Sequence, residues 1–147
     1  GIDGCGAPVF SAPLGNWARA CALFAGGGEL PEARHNACQR IRKSIAAKPL
    51  YIAGHDRACS AINSAYGEAI TVKTGAEGVY SAAFHELGLG AVLKARDGNK
   101  RGAEVAIGAV IRALGYPTDG LVKNFFEPKV LNWAGEEVGD ITVPQFL

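Results

Sequence analysis

The feature that most constrains this chain is a change of hydrophobic period: helical steps before Gly67, β-type alternation after it, and helical steps again from Lys100. Upstream, Leu14, Trp17, Ala18, Cys21 and Phe24 or Ala25 recur at three- and four-residue steps, and Gly26-Gly27-Gly28 stops the helix they predict. A second helix is expected from Pro31, where a first-turn proline loses no needed N–H, to Pro49. Its expected apolar face is Ala33, Ala37, Ile41 and Ile45, with Arg40, Arg42 and Lys43 turned to water. Asp56 is the expected cap of a third, short helix carrying Cys59, Ile62 and Tyr66 and ended by Gly67.

Beyond that glycine, Ala69-Ile70-Thr71-Val72-Lys73 reads as a strand, and Gly78 to Phe84 continues it or pairs beside it. His85-Glu86-Leu87-Gly88 turns the chain into another β run, Leu89 to Ala95, so the sheet is expected to be antiparallel. Arg96-Asp97-Gly98-Asn99 then leads into the clearest helix, Lys100 to Leu114, with Gly115 suited to a positive-φ stop and Pro117 blocking continuation. The tail, Leu121 to Leu147, holds two short apolar runs around the turn Asn132-Trp133-Ala134-Gly135-Glu136-Glu137. Helices segregated from an antiparallel sheet make the expected class α+β. Two or three strands are few for so much apolar helix surface, so strands from an upstream segment are expected to complete the sheet.

Composition narrows the function. At 147 residues, 48% of them apolar and 20% charged, the chain has the size and balance of one globular domain. Fifteen Lys and Arg against 14 Asp and Glu leave a formal charge of +1, which argues against nucleic acid or an anionic membrane as partner. No apolar stretch approaches the roughly 18 residues that span a bilayer. A small neutral or zwitterionic substrate suits such a surface better. The chain begins at Gly1 and contains no Met, so it is expected to be part of a longer gene product, shortened by proteolysis, processing or design. Cys5, Cys21, Cys38 and Cys59 match no CxxC or zinc-finger spacing and are read as reduced thiols of a cytoplasmic protein. His35 and His85 are expected at the surface, on a helix and in a turn.

The stretch richest in chemistry is Val72-Lys73-Thr74-Gly75-Ala76-Glu77-Gly78. A Lys-Thr-Gly at a strand end is the third element of serine β-lactamases and penicillin-binding proteins. The ammonium places fixed positive charge beside a serine nucleophile and a substrate carboxylate. The hydroxyl can donate to that carboxylate, and the glycine lets substrate backbone pass close to the strand. Taken alone, the tripeptide also fits an edge-strand lysine facing solvent.

The wider pattern is more specific. Gly1-Ile2-Asp3-Gly4-Cys5-Gly6-Ala7-Pro8, Gly54-His55-Asp56-Arg57 and Lys73-Thr74-Gly75-Ala76-Glu77-Gly78-Val79-Tyr80 resemble, in order and spacing, the bacterial L-asparaginase II family. The likeness continues through Leu87-Gly88-Leu89-Gly90, the Arg101 to Leu114 helix and Asn132-Trp133-Ala134-Gly135-Glu136-Glu137-Val138-Gly139. It implies the C-terminal part of a β-lactamase/DD-peptidase-like fold over residues 1–147, hydrolysing L-asparagine to aspartate and ammonia through a serine. It also implies an upstream Ser-x-x-Lys, which is missing: Ser44-Ile45-Ala46-Ala47-Lys48 sets the lysine four residues on and aligns with a surface helix. The nucleophile is therefore expected from a missing N-terminal segment or a second chain. A non-catalytic fragment or subunit that binds such a segment is the alternative, and a homodimer is left open.

Carried over by position, Lys73 and Thr74 are the expected catalytic residues, and Gly75, Glu77 and Gly78 the expected substrate-binding ones. Asp3 is expected to fix the glycine loop by accepting backbone N–H bonds. Cys5, Cys59, His55 and Asp56 form a second constellation, in which the thiolates of Cys5 and Cys59 and the imidazole of His55 are the expected zinc ligands, since the resemblance implies zinc held through cysteines at matching positions. No cofactor is required for the expected chemistry, and zinc is the one metal the residues suggest.

Overall fold

The structure, a computed structural model, describes residues 1–143. The end of the expected tail, 144–147, lies outside them. Four helices precede the sheet: α1 (Leu14–Ala25), α2 (Glu32–Ala47), α3 (Leu50–Ala53) and α4 (Ala58–Tyr66). Strands β1 (Ile70–Thr74), β2 (Val79–Phe84) and β3 (Leu89–Lys94) follow, then α5 (Lys100–Ala113), α6 (Lys123–Phe126) and the hairpin strands β4 (Lys129–Leu131) and β5 (Glu137–Asp140). The architecture is α+β. Glycine ends α1 as the sequence demands, Gly26 taking φ +96°. Asn99 caps α5 by accepting the Arg101 N–H at 3.0 Å.

The three-stranded sheet runs in the order β1-β2-β3, antiparallel throughout. Register pairs Val72 with Ala82 and Ile70 with Phe84 on one face, and Lys73 with Ser81 and Ser81 with Val92 on the other. The first face meets α4 and α5 and forms the core, where Ile62, Ile70, Val72, Tyr80, Phe84, Ile107 and Ile111 are all sealed from water. Burying each such side chain contributes about 1.5–3 kcal/mol. The second face meets α1, which crosses β2 and β3. A glycine sets that approach: a Cβ on Gly90 would lie 2.1 Å from the Ala18 carbonyl oxygen.

Several local expectations are corrected. On α2 the half-buried side is His35, Cys38, Gln39, Arg42, Ile45 and Ala46, while Ala33, Ala37 and Ile41 face solvent. Arg42 turns inward and pairs with Glu68 at 3.3 Å. Asp56 does not cap α4. It takes φ +53° in the preceding turn, and Arg57 occupies the cap without a side-chain hydrogen bond. His85 is half-buried rather than a surface residue, edge-on to Phe24 at 5.5 Å.

Candidate functional site

β1 is an edge strand, yet its outer edge is occupied. The Asn63 carboxamide, on α4, accepts from Val72 N–H at 3.1 Å and donates to the Val72 carbonyl at 3.0 Å, as a neighbouring strand would. One helical turn earlier, the Cys59 sulfur accepts the Thr74 N–H at 3.1 Å and lies 3.2 Å from the Tyr80 hydroxyl. Burial, then the neighbouring Cys59, raise the Tyr80 pKa, so its hydroxyl stays protonated and able to donate to sulfur. The end of β1 is thereby fixed from behind, and a further strand could pair along 72–74 only by displacing α4.

On the α1 side lies an open groove of about 690 Å³. Its floor includes Lys73, Thr74, Gly75 and Ser81, and its apolar wall includes Phe10, Trp17 and Phe24. The Lys73 ammonium donates to the Thr74 carbonyl at 2.7 Å, folded back over its own strand. Ser81 donates to the Lys73 carbonyl at 3.0 Å. The Thr74 hydroxyl points at the Gly75 and Val79 carbonyls, each 3.2 Å away. Three of the five expected sequence positions therefore share one cavity. Glu77 and Gly78 do not line it but build the β1–β2 turn, with φ +55° and +69°. Glu77 is exposed, and its carbonyl accepts from the Lys94 ammonium. Gly78 is buried against Ala95 and Gly98, where a side chain has no room.

Ser81, Phe10 and Trp17 were not singled out by motif. The hairpin register signals Ser81, because a three-residue turn over 76–78, closed by the Gly75 N–H donating to the Val79 carbonyl at 2.8 Å, sets it opposite Lys73. Nothing local places Phe10 or Trp17 in the groove.

The expected zinc ligands are not gathered. Among the described residues no group of three or more His, Cys, Asp and Glu side chains could hold a metal ion. Cys5 is exposed on its glycine loop, its sulfur 3.7 Å from the Asp3 carboxylate. Asp3 also accepts the Gly4 N–H at 2.7 Å, as expected of a loop-fixing aspartate. His55 is exposed in the turn before α4, not on the helix, and Cys59 is sealed in the core with its sulfur already bonded. These residues do not fit a zinc centre. All four thiols are unpaired.

The half-buried His85 lies beside the site. Its Nε2 is 2.8 Å from the Thr71 hydroxyl, and its Nδ1 is buried without a hydrogen-bond partner. Burial first, then the Arg42 guanidinium, lower its pKa to about 4. It is neutral at pH 7.

No described helix is long and apolar enough to cross a membrane. A search of curated proteins finds no match to the chain. The family model for L-asparaginase II matches residues 1–143, nearly the whole sequence and every residue of the groove. The chain belongs to the L-asparaginase II family, a family of asparaginase-type amidohydrolases.

Proposed function

We propose that this chain supplies the lysine side of a site that hydrolyses L-asparagine, and that the attacking serine comes from polypeptide outside it, an N-terminal segment or a second chain. The observation that carries the proposal is the single groove joining Lys73, Thr74 and Gly75, in a sequence that belongs to the family yet contains no Ser-x-x-Lys. Phe10 is 83% exposed on the groove wall, an apolar surface of the kind that packing against another segment would cover.

In this reading the serine hydroxyl passes its proton to a lysine acting as general base, and its oxygen bonds to the side-chain carboxamide carbon. The carbon–nitrogen bond then breaks and ammonia leaves with a proton. Water cleaves the resulting ester, freeing aspartate and restoring the serine. Lys73 sets positive charge beside the nucleophile and the substrate carboxylate. The Thr74 hydroxyl turns from the Val79 carbonyl to donate to that carboxylate, and Gly75 leaves room for the substrate to lie against the strand.

The test is ammonia release from L-asparagine by the chain alone and by the chain co-expressed with a Ser-x-x-Lys segment from this family. Turnover only in the pair, lost in Lys73→Ala, is expected. Turnover by the chain alone would place the nucleophile within it. A stable but inactive pair would favour the second reading, a non-catalytic binding subunit, for which the missing Ser-x-x-Lys also speaks.

A further inference from the structure

A second cavity, of about 560 Å³, is bounded by α5, α6, the β4–β5 hairpin and residues 141–143, and it shares no residue with the groove. Its size falls within the range of small-molecule pockets, roughly 300–1,000 Å³. The floor is apolar: Val105 and Phe126 are buried, and Ile141 is half-buried beside them. Gly108 lets the Phe126 ring pack directly on α5, since a Cβ there would lie 2.4 Å from the ring.

The charges around this floor are matched, with two exceptions. Arg112 pairs with Glu127, and Lys129 with Glu137 at 2.7 Å. Lys123 and Asp140 also line the cavity, and among the described residues neither makes an ion pair, although Asp140 stands opposite Lys129 in the hairpin register. One unpaired cation and one unpaired anion beside an apolar floor complement a molecule that carries a carboxylate, an ammonium and a hydrocarbon group. We propose that the cavity binds a free α-amino acid with an aliphatic side chain. Its carboxylate lies on Lys123, its ammonium on Asp140, and its side chain against Val105 and Phe126. A simple anion would be repelled by Asp140 and a simple amine by Lys123, so the pair of charges selects for a zwitterion. For a ligand of about nine heavy atoms held by exposed charges, a Kd on the order of 0.1–1 mM is expected. The proposal does not depend on the catalytic reading, because no groove residue takes part.

Isothermal titration calorimetry of the full chain with L-leucine tests it. Lys123 and Asp140 are exposed, so Lys123→Met and Asp140→Asn should leave the circular dichroism spectrum unchanged. Each should weaken leucine binding about tenfold or more. Lys123→Met should not affect binding of 3-methylbutylamine, which lacks the carboxylate, and Asp140→Asn should not weaken 4-methylpentanoate, which lacks the ammonium. In the wild type both analogues should bind more weakly than leucine, as should glycine, which lacks the hydrocarbon group. Lys73→Ala, in the groove, should bind leucine as the wild type does, which separates this cavity from the proposed catalytic site. No heat of binding at leucine concentrations about ten times the expected Kd overturns the proposal. So does 4-methylpentanoate or inorganic phosphate binding as tightly as leucine, or binding lost in Lys73→Ala but kept in Lys123→Met.

Discussion

The two faces of the small sheet differ in what they are for. On the α4/α5 face every central side chain is out of water, and even the strand edge is hydrogen-bonded by Asn63 and Cys59. On the α1 face the row Lys73, Ser81 and Val92 opens into a groove, with polar groups and partly exposed aromatics side by side. Buried packing is concentrated on the first face, and the groove opens on the second. Because the same strands serve both, rigidity on the closed face sets how accurately the open face is held.

The contrast is broken most directly from the closed side. Phe84 is completely buried between helices, and Phe84→Ala should cost about 3–5 kcal/mol, read as a lower urea midpoint. Asn63→Leu comes next. It keeps the volume but strips partners from both the N–H and the carbonyl of Val72, which should cost about 2–4 kcal/mol. It should also accelerate amide exchange at Val72, a change that a simple packing loss elsewhere in the core would not confine there. If exchange at Val72 is unaltered, the strand edge is not held by that carboxamide.

On the α1 face the largest effect expected is at Gly90, where a methyl group would meet the backbone of α1 at Ala18 and Ala22. Gly90→Ala should cost about 1–3 kcal/mol and lift α1 from β3, widening the groove. The same substitution at Gly102, whose Cβ would meet nothing, should be neutral or slightly stabilising.

His85 sharpens the comparison through pH. Its folded pKa, about 4, lies below the 6.5 of an unfolded histidine. Between those values the unfolded chain binds the extra proton, so stability is full above about pH 6.5 and falls as pH drops toward 4. An NMR titration should place the imidazole midpoint near 4, and His85→Gln should flatten that part of the stability profile. A midpoint near 6.5 would mean the ring is solvated.

Legibility followed the same division. The helices, the antiparallel hairpin and the α+β class could be read because each rests on local punctuation, such as Gly26, Pro49, Gly67 and Gly115. The face of α2 was misread for a geometric reason. Steps of four residues drift roughly 40° each on a helix of 3.6 residues per turn, so Ala33, Ala37, Ile41 and Ile45 spiral away from one side. The buried side mixes steps of three and four and includes polar residues, and Arg42 is drawn inward by Glu68, a partner that sequence does not reveal. Within the groove, the tripeptide at 73–75 was legible by motif, whereas Ser81 was not, because the sequence left open whether 78–84 continues the first strand or pairs beside it. The placement of Cys59 was not legible either, because a thiol bonded to Thr74 and Tyr80 looks in sequence the same as one free to hold zinc.

The smallest expected effect is the most discriminating between the faces. Phe10 is a large aromatic side chain, but at 83% exposure it contributes little to the isolated fold. Phe10→Ser should therefore move the urea midpoint by an amount equivalent to no more than about 0.5 kcal/mol. If polypeptide carrying a serine covers the groove, the same substitution should weaken capture of that segment, because the apolar area it would bury is gone. The two measurements separate a residue that holds the chain together from one that waits for a partner. A large stability loss at Phe10 would mean that the N-terminal segment already closes over the α1 face, and that the groove is shallower than its present walls imply.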